Sequence, residues 1–248
     1  MDRKKWDLWK KHPMIERRTF LRAKGIVPEM ECTKQLIKII KPKYKKNTSI
    51  LDVGCAAGHY YNSIKKLDKN VIYQGIDGNR SYINFAKKFY RNSGAKFKTL
   101  DIYKLNKKHI PKHDIVYCCN VLLHLPDIFN PLKNLINITK KICIIRTLID
   151  NETHLSKIVF KEKFNNKFEP QEFTYQNTYS IKILKKFISK LGRFKIRLID
   201  DKFETSKINK EYSSYAKIQG PATTKVINNV QIAGNKVFKW KWLLIEKN

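Results

Sequence analysis

Between Ser49 and Thr147 the chain alternates short apolar runs of strand length with amphipathic stretches of helix length, and this alternation constrains the fold more than any other feature. Ile50–Val53, Val71–Ile76, Lys96–Leu100, Asp114–Cys119 and Ile142–Thr147 predict strands. Tyr60–Leu67, Ser81–Asn92 and Ile128–Thr139 predict helices between them, with Asn79 or Ser81 as N-cap of the second. Strands separated by helices pair in parallel and carry helices on both faces of the sheet. Further on, Ser180–Leu191 reads as an amphipathic helix closed by Gly192, and Phe194–Ile199 and Val237–Ile245 read as two last strands. The expected class is therefore α/β, a mostly parallel seven-stranded sheet with helices on both faces.

Ahead of the alternation, residues 1–46 predict a helical N-terminal cap. Trp6, Trp9 and Phe20 leave an apolar stripe, Gly25-Ile26-Val27-Pro28 breaks the run, and a second helix fits Glu29–Ile40. Residues 47–248 form the main domain. Two less regular stretches, 151–179 and 202–236, are expected to be insertions over a site; the first is polar and rich in Phe and Tyr, the second is broken by Gly220-Pro221 and Gly234.

Composition bounds the setting. A chain of 248 residues that is 42% hydrophobic can bury a sizeable core. The charged, aromatic start lacks the apolar stretch of a signal peptide, and no run reaches the length of a membrane span. The five cysteines form no Cys-x-x-Cys pair and no zinc-like spacing, so no metal site is expected; buried reduced thiols and a cytoplasmic location are. The formal net charge of +31 attracts anions, including nucleic acid. Lys is nonetheless dispersed along a chain also rich in Asn and Ile, which suits a compositional bias equally well.

The first strand runs into Leu51-Asp52-Val53-Gly54-Cys55-Ala56-Ala57-Gly58, and a helix follows. Gly54 permits a sharp turn and close approach of backbone to a ligand, and Gly58 permits close helix–strand packing. Asp77, followed by Gly78, ends the second strand; an acid there accepts ribose hydroxyls. Asp101 follows the third strand, where a carboxylate can accept from an adenine amine while Ile102 offers an apolar surface. A dinucleotide fingerprint would require Gly where Ala56 stands, which argues against an oxidoreductase.

In this order the segment from about Ser49 to Thr147 resembles the class I, Rossmann-like S-adenosylmethionine (SAM)-dependent methyltransferases. The first motif of that family is matched by Asp52 to Gly58, with Ala56 at a position where many members carry Gly. Asp77 and Asp101 match the acids after the second and third strands, and Asp114 to Leu125 matches the fourth-strand motif. The resemblance implies SAM as cofactor, S-adenosylhomocysteine (SAH) as product, and a binding set of Asp52, Gly54, Cys55, Ala56, Gly58, Asp77, Gly78, Asp101, Ile102, Cys119 and Asn120. It also implies a final hairpin containing one antiparallel strand, and an N-terminal segment bearing Arg17, Arg22 and Glu31 that caps the cofactor.

Methyl transfer to a hydroxyl needs a base near the end of the fourth strand. His124 is the candidate, with packing under the sheet as its other role. Tyr175, Asn177 and Tyr179 are candidates for holding a polar acceptor, or for a loop packed on itself. Arg146 is positioned to pair either with an anionic acceptor or with an internal carboxylate. The acceptor expected is a small molecule or carbohydrate, methylated on oxygen. RNA is the alternative that the charge motivates, and a non-catalytic binding module is a third reading.

Overall fold

The computed structural model describes residues 13–159, 162–202, 225–227, 230–233 and 236–247. Trp6 and Trp9, and residues 203–224 of the second expected insertion, lie outside them. Helices α1 (Pro13–Ala23) and α2 (Glu31–Ile40) lead into β1 (Ser49–Val53). The alternation follows as α3 (Tyr61–Ile64), β2 (Ile72–Asp77), α4 (Arg80–Phe89), β3 (Lys96–Thr99), β4 (His113–Cys119), α5 (Phe129–Ile138) and β5 (Thr139–Asp150). After β5 come β6 (Lys157–Val159), β7 (Phe173–Tyr175), β8 (Tyr179–Ser180), α6 (Ile181–Ser189) and β9 (Phe194–Asp200). The last elements are β10 (Lys225–Ile227), β11 (Val230–Ala233), β12 (Lys236–Phe238) and β13 (Trp240–Lys247).

The main sheet has the order β3-β2-β1-β4-β5-β13-β9, with the two-residue β8 added beside the end of β5. β1, β2, β3, β4 and β5 pair in parallel. β13 is antiparallel to both β5 and β9, giving the expected hairpin. The period-two alternation of buried strands explains why the sheet is covered twice. Leu51, Val53, Val116, Cys118, Cys143 and Ile145 face one core with Leu132 and Leu135 of α5 and Leu184 of α6. Ile50, Ile115, Tyr117, Ile142 and Ile144 face the other, with Leu36 of α2 and Ile83 of α4. The five free cysteines are all buried.

Several boundaries differ from expectation. The helix expected over Tyr60–Leu67 has one α-helical turn; Lys66 and Leu67 then bond back three residues, to the Ser63 and Ile64 carbonyls, at 3.2 and 3.0 Å. Asn79 provides the cap of α4, its side chain accepting from the Ser81 N–H at 3.0 Å. The last strand begins at Trp240 because Lys236–Phe238 pairs elsewhere, in a three-stranded antiparallel sheet of β10, β11 and β12. β6 and β7 form a second small antiparallel pair within 151–179.

Candidate cofactor and acceptor site

The turn after β1 is held by main chain. The Gly54 and Cys55 N–H groups both donate to the Ile76 carbonyl, at 2.8 and 3.0 Å, fastening the turn to the end of β2. Gly54, Ala56 and Gly58 all have positive φ, at 79°, 47° and 78°. A Cβ on Gly54 would lie 2.3 Å from the Val121 side chain, and one on Gly58 2.7 Å from the Phe97 ring. The glycines are thus required by backbone conformation and by protein packing, beyond any approach of a ligand. Ala56 tolerates its left-handed conformation because its N–H is held at 2.9 Å by Asp77 Oδ2.

Asp77 is correspondingly pre-set. Its other oxygen accepts from the Asn79 N–H at 2.7 Å, so both carboxylate oxygens are oriented by main-chain donors. It lines a cavity of about 340 Å³ at the carboxyl ends of β1, β2 and β4, within the range of ligand pockets. Of the sequence-predicted residues, Arg22, Gly54, Ala56, Asp77, Gly78, Ile102, Cys119, Asn120 and His124 line this cavity.

The remaining predicted residues are placed elsewhere. Asp52 lies beneath the turn, where the Tyr73 hydroxyl donates to it at 2.7 Å and burial pushes its pKa up to about 7. The Cys55 side chain is buried against Gly75, with its thiol pKa raised by burial. Asp101 turns back to cap the short 3-10 turn Ile102–Lys104, accepting from the Tyr103 N–H at 3.0 Å; its neighbours Leu100 and Ile102 provide the apolar wall.

His124 sits in the 3-10 turn Leu122–His124 after β4. Its Nδ1 is 2.8 Å from the Tyr175 carbonyl, so Nδ1 carries the proton and donates, and the lone pair of the neutral ring is on Nε2. Burial pushes its pKa down to about 4. Tyr175, Asn177 and Tyr179 are buried and support this turn from outside the cavity. The Asn177 N–H donates to the Leu123 carbonyl at 2.9 Å, its Nδ2 donates to the Leu125 carbonyl at 3.0 Å, and its Oδ1 accepts from the Ser156 N–H at 3.0 Å. Those contacts match the second of the two roles expected for the trio, a segment packed on itself, and none of the three lines the cavity.

Arg146 likewise meets an internal carboxylate. It is buried, its Nε donates to Asp201 Oδ2 at 2.6 Å, and its Nη1 donates to Asn120 Oδ1. The guanidinium stacks on Trp240, 4.0 Å from the ring centroid. Asp201 also accepts from Gln35 Nε2, and Gln35 Oε1 accepts from Trp242 Nε1 at 3.1 Å. A polar chain thereby links cap helix α2, the sheet and the cavity residue Asn120.

Sequence reasoning missed His59. It lines the cavity, and both ring nitrogens are buried without a hydrogen-bond partner among the described residues. Burial, then the nearby Arg22 charge, push its pKa down to about 3. Arg22, Thr19 and Ile15 of α1 and Tyr82 of α4 complete the wall. Arg22 donates to the Pro28 carbonyl at 3.4 Å and makes no ion pair among the described residues. The available signal was position: His59 directly follows Gly58, at the point where the chain turns from β1 toward α3.

These residues fit SAM. Asp77 suits the ribose hydroxyls, Leu100 and Ile102 offer an apolar surface to the adenine, and the orphaned imidazole of His59 beside Arg22 suits the polar amino-acid end. The sheet order, the single antiparallel strand and this cavity define the class I, Rossmann-like methyltransferase fold. A family model described as a methyltransferase domain matches residues 44–247, and the chain belongs to that family.

Known proteins agree with this placement. The magnesium protoporphyrin IX methyltransferase (ChlM) of Synechocystis PCC 6803, solved with bound SAH, is similar over 98% of each chain, with a TM-score of 0.58 and 12% identity. A SAM-dependent methyltransferase from Clostridium acetobutylicum ATCC 824 has a TM-score of 0.53 and 15% identity over 87% of this chain and 90% of its own. In sequence, "Putative methyltransferase 235L" of Invertebrate iridescent virus 6 is 30% identical over 107 residues. That match spans 42% of this chain and 39% of the viral protein.

Proposed function

We propose that this chain transfers a methyl group from SAM to a hydroxyl of a small-molecule or carbohydrate acceptor, with His124 as the group that takes the hydroxyl proton. The observation that carries the reading is the single cavity onto which Asp77, the Gly54–Gly58 turn, Asn120 and His124 converge. SAM, when bound, supplies an electrophilic methyl on its sulfonium. The protein's own contribution is alignment, exclusion of water and removal of one proton.

His124 is neutral near pH 7, and its Nδ1–H bond to Tyr175 fixes Nε2 as the accepting nitrogen. Ile15, Val121 and Leu125 give the cavity an apolar wall that favours exclusion of water once cofactor and acceptor fill it. We assign residues 151–179 the task of holding the His124 turn in place, through Tyr175 and Asn177.

The test is transfer of a labelled methyl from SAM into pools of hydroxylated metabolites and oligosaccharides. Label in a hydroxyl-bearing product, lost in the His124→Ala protein while SAH binding persists, supports the proposal. Label appearing only on nitrogen or sulfur, or transfer undiminished in His124→Ala, overturns it.

A further inference from the structure

Helix α1 has two working faces. Ile15, Thr19 and Arg22 face the cofactor cavity, while Phe20, and Lys24 just past the helix end, face α4. On that second face Phe20 stacks on Phe85, with centroids 4.1 Å apart and planes at 8°. Phe85 in turn stacks on Phe89, at 5.6 Å and 16°. The last ring of this ladder is 45% exposed, although a ring in water gains nothing from folding.

Cations surround that ring. Two open grooves, of about 560 and 570 Å³, meet at Lys24, Phe89 and Asn92. Lys88 and Arg91 line one and Lys65 and Lys66 the other, with no carboxylate among the described residues of either wall. Lys66 is paired with Glu29 at 3.5 Å, whereas Lys24, Lys88 and Arg91 make no ion pair among the described residues. Both α1 and α4 end here, and their dipoles account for a cation at each terminus. They do not account for an exposed Phe among cations contributed by three separate segments.

We propose that this paired groove binds single-stranded nucleic acid, one base stacking on the outer face of Phe89 while Lys24, Lys88 and Arg91 meet the flanking phosphates. Base stacking on an aromatic ring combined with a cationic track is the usual chemistry of such binding. An acidic peptide would use the cations and leave the ring idle. A strand seated here lies on the opposite side of α1 from the cofactor cavity, roughly one helix diameter (about 10 Å) away.

The test uses fluorescence anisotropy of a labelled mixed-sequence 12-nucleotide RNA, and the same sequence as single-stranded DNA, with the full chain over 50–200 mM salt. The wild-type protein is expected to bind at least one of them. Phe89→Ala is expected to weaken binding by roughly 5- to 100-fold with the salt slope unchanged, and Phe89→Trp to retain it. Combined Lys24→Ala, Lys88→Ala and Arg91→Ala is expected to reduce the salt slope by about 2. The control changes Lys104, Lys107 and Lys108 together to Ala. These exposed lysines flank Leu105, which packs in the core on the other side of the sheet. SAH binding by each variant reports an intact fold. The proposal is overturned by equal loss in the control, by unchanged affinity in Phe89→Ala, or by no binding of either oligonucleotide at 50 mM salt. Binding is read without methyl transfer, so failure of the groove and failure of the proposed activity are separate results.

Discussion

Arg146 grips Asn120 twice: its carbonyl accepts the Asn120 N–H at 3.0 Å, and its Nη1 donates to the Asn120 side-chain oxygen. Asn120 needs that grip because its φ is 62°, in the left-handed region, where it lines the cavity at the end of β4. The charge on Arg146 is in turn met by the buried Asp201 carboxylate. Removing the guanidinium with Arg146→Met strands that carboxylate and is expected to cost about 3–5 kcal/mol in urea unfolding. The double variant Arg146→Met, Asp201→Asn should lose less than the sum of the single changes, since the two residues act as a unit. Additive losses would mean that the pair is not coupled.

Ala56 occupies a left-handed position, and its φ of 47° is a conformation an Ala side chain disfavours. Ala56→Gly relieves about 1–2 kcal/mol of strain and gives back about 0.4–1 kcal/mol of unfolded-state entropy. A small net gain in Tm is the expected outcome of thermal melts. A lowered Tm would show that the Ala56 methyl makes a packing contribution larger than its strain.

His124 gives a pH signature. Its folded pKa, about 4, lies below the ordinary value of 6.5. The neutral base therefore persists well into acid, and kcat/KM should stay level below pH 6 and fall only toward about 4. An acid limb centred near 6.5 would point to a solvated histidine. The linkage has the same sign: burial of the neutral ring is tolerated above 6.5, and stability is lost as pH falls from 6.5 toward 4. His124→Gln should make that part of the stability profile less steep, as read by urea midpoints, with buried His59 still contributing loss of the same sign.

His59 is expected to meet the amino-acid end of the cofactor, since its unpartnered nitrogens share the cavity wall with Arg22. His59→Phe keeps the volume and removes the polar atoms. It should weaken SAH by roughly 1–3 kcal/mol, the cost of a lost buried hydrogen bond, while leaving 5′-methylthioadenosine, which lacks the amino-acid end, unaffected. Equal weakening of both ligands would make the effect one of packing.

Much of this was legible in the chain. The alternation from Ser49 to Thr147 fixed the parallel half of the sheet, because buried strands and amphipathic helices have distinct periods. That Gly54, Asp77 and Ile102 line one cavity was legible because their placement follows from chain position at strand ends. For Arg146 and the Tyr175–Tyr179 segment the chain left two roles open each, because the partners that decide between them are distant in sequence. Asp201 lies 55 residues from Arg146, and the Tyr175 carbonyl lies 51 from His124. His59 carries no pattern of its own; its significance comes from the cavity around it. The small sheets β6–β7 and β10–β12 are built from three- or four-residue strands, too short for periodicity to register.

The central claim is that the cavity over the Gly54–Gly58 turn holds SAM through Asp77, and calorimetric titration of SAH tests it most directly. The wild-type protein should bind one SAH per chain. Asp77→Ala should bind it about 1–3 kcal/mol more weakly while unfolding cooperatively, since the change removes a charged acceptor. The account is contradicted if wild-type protein shows no SAH binding at millimolar ligand, or if folded Asp77→Ala binds with unchanged affinity.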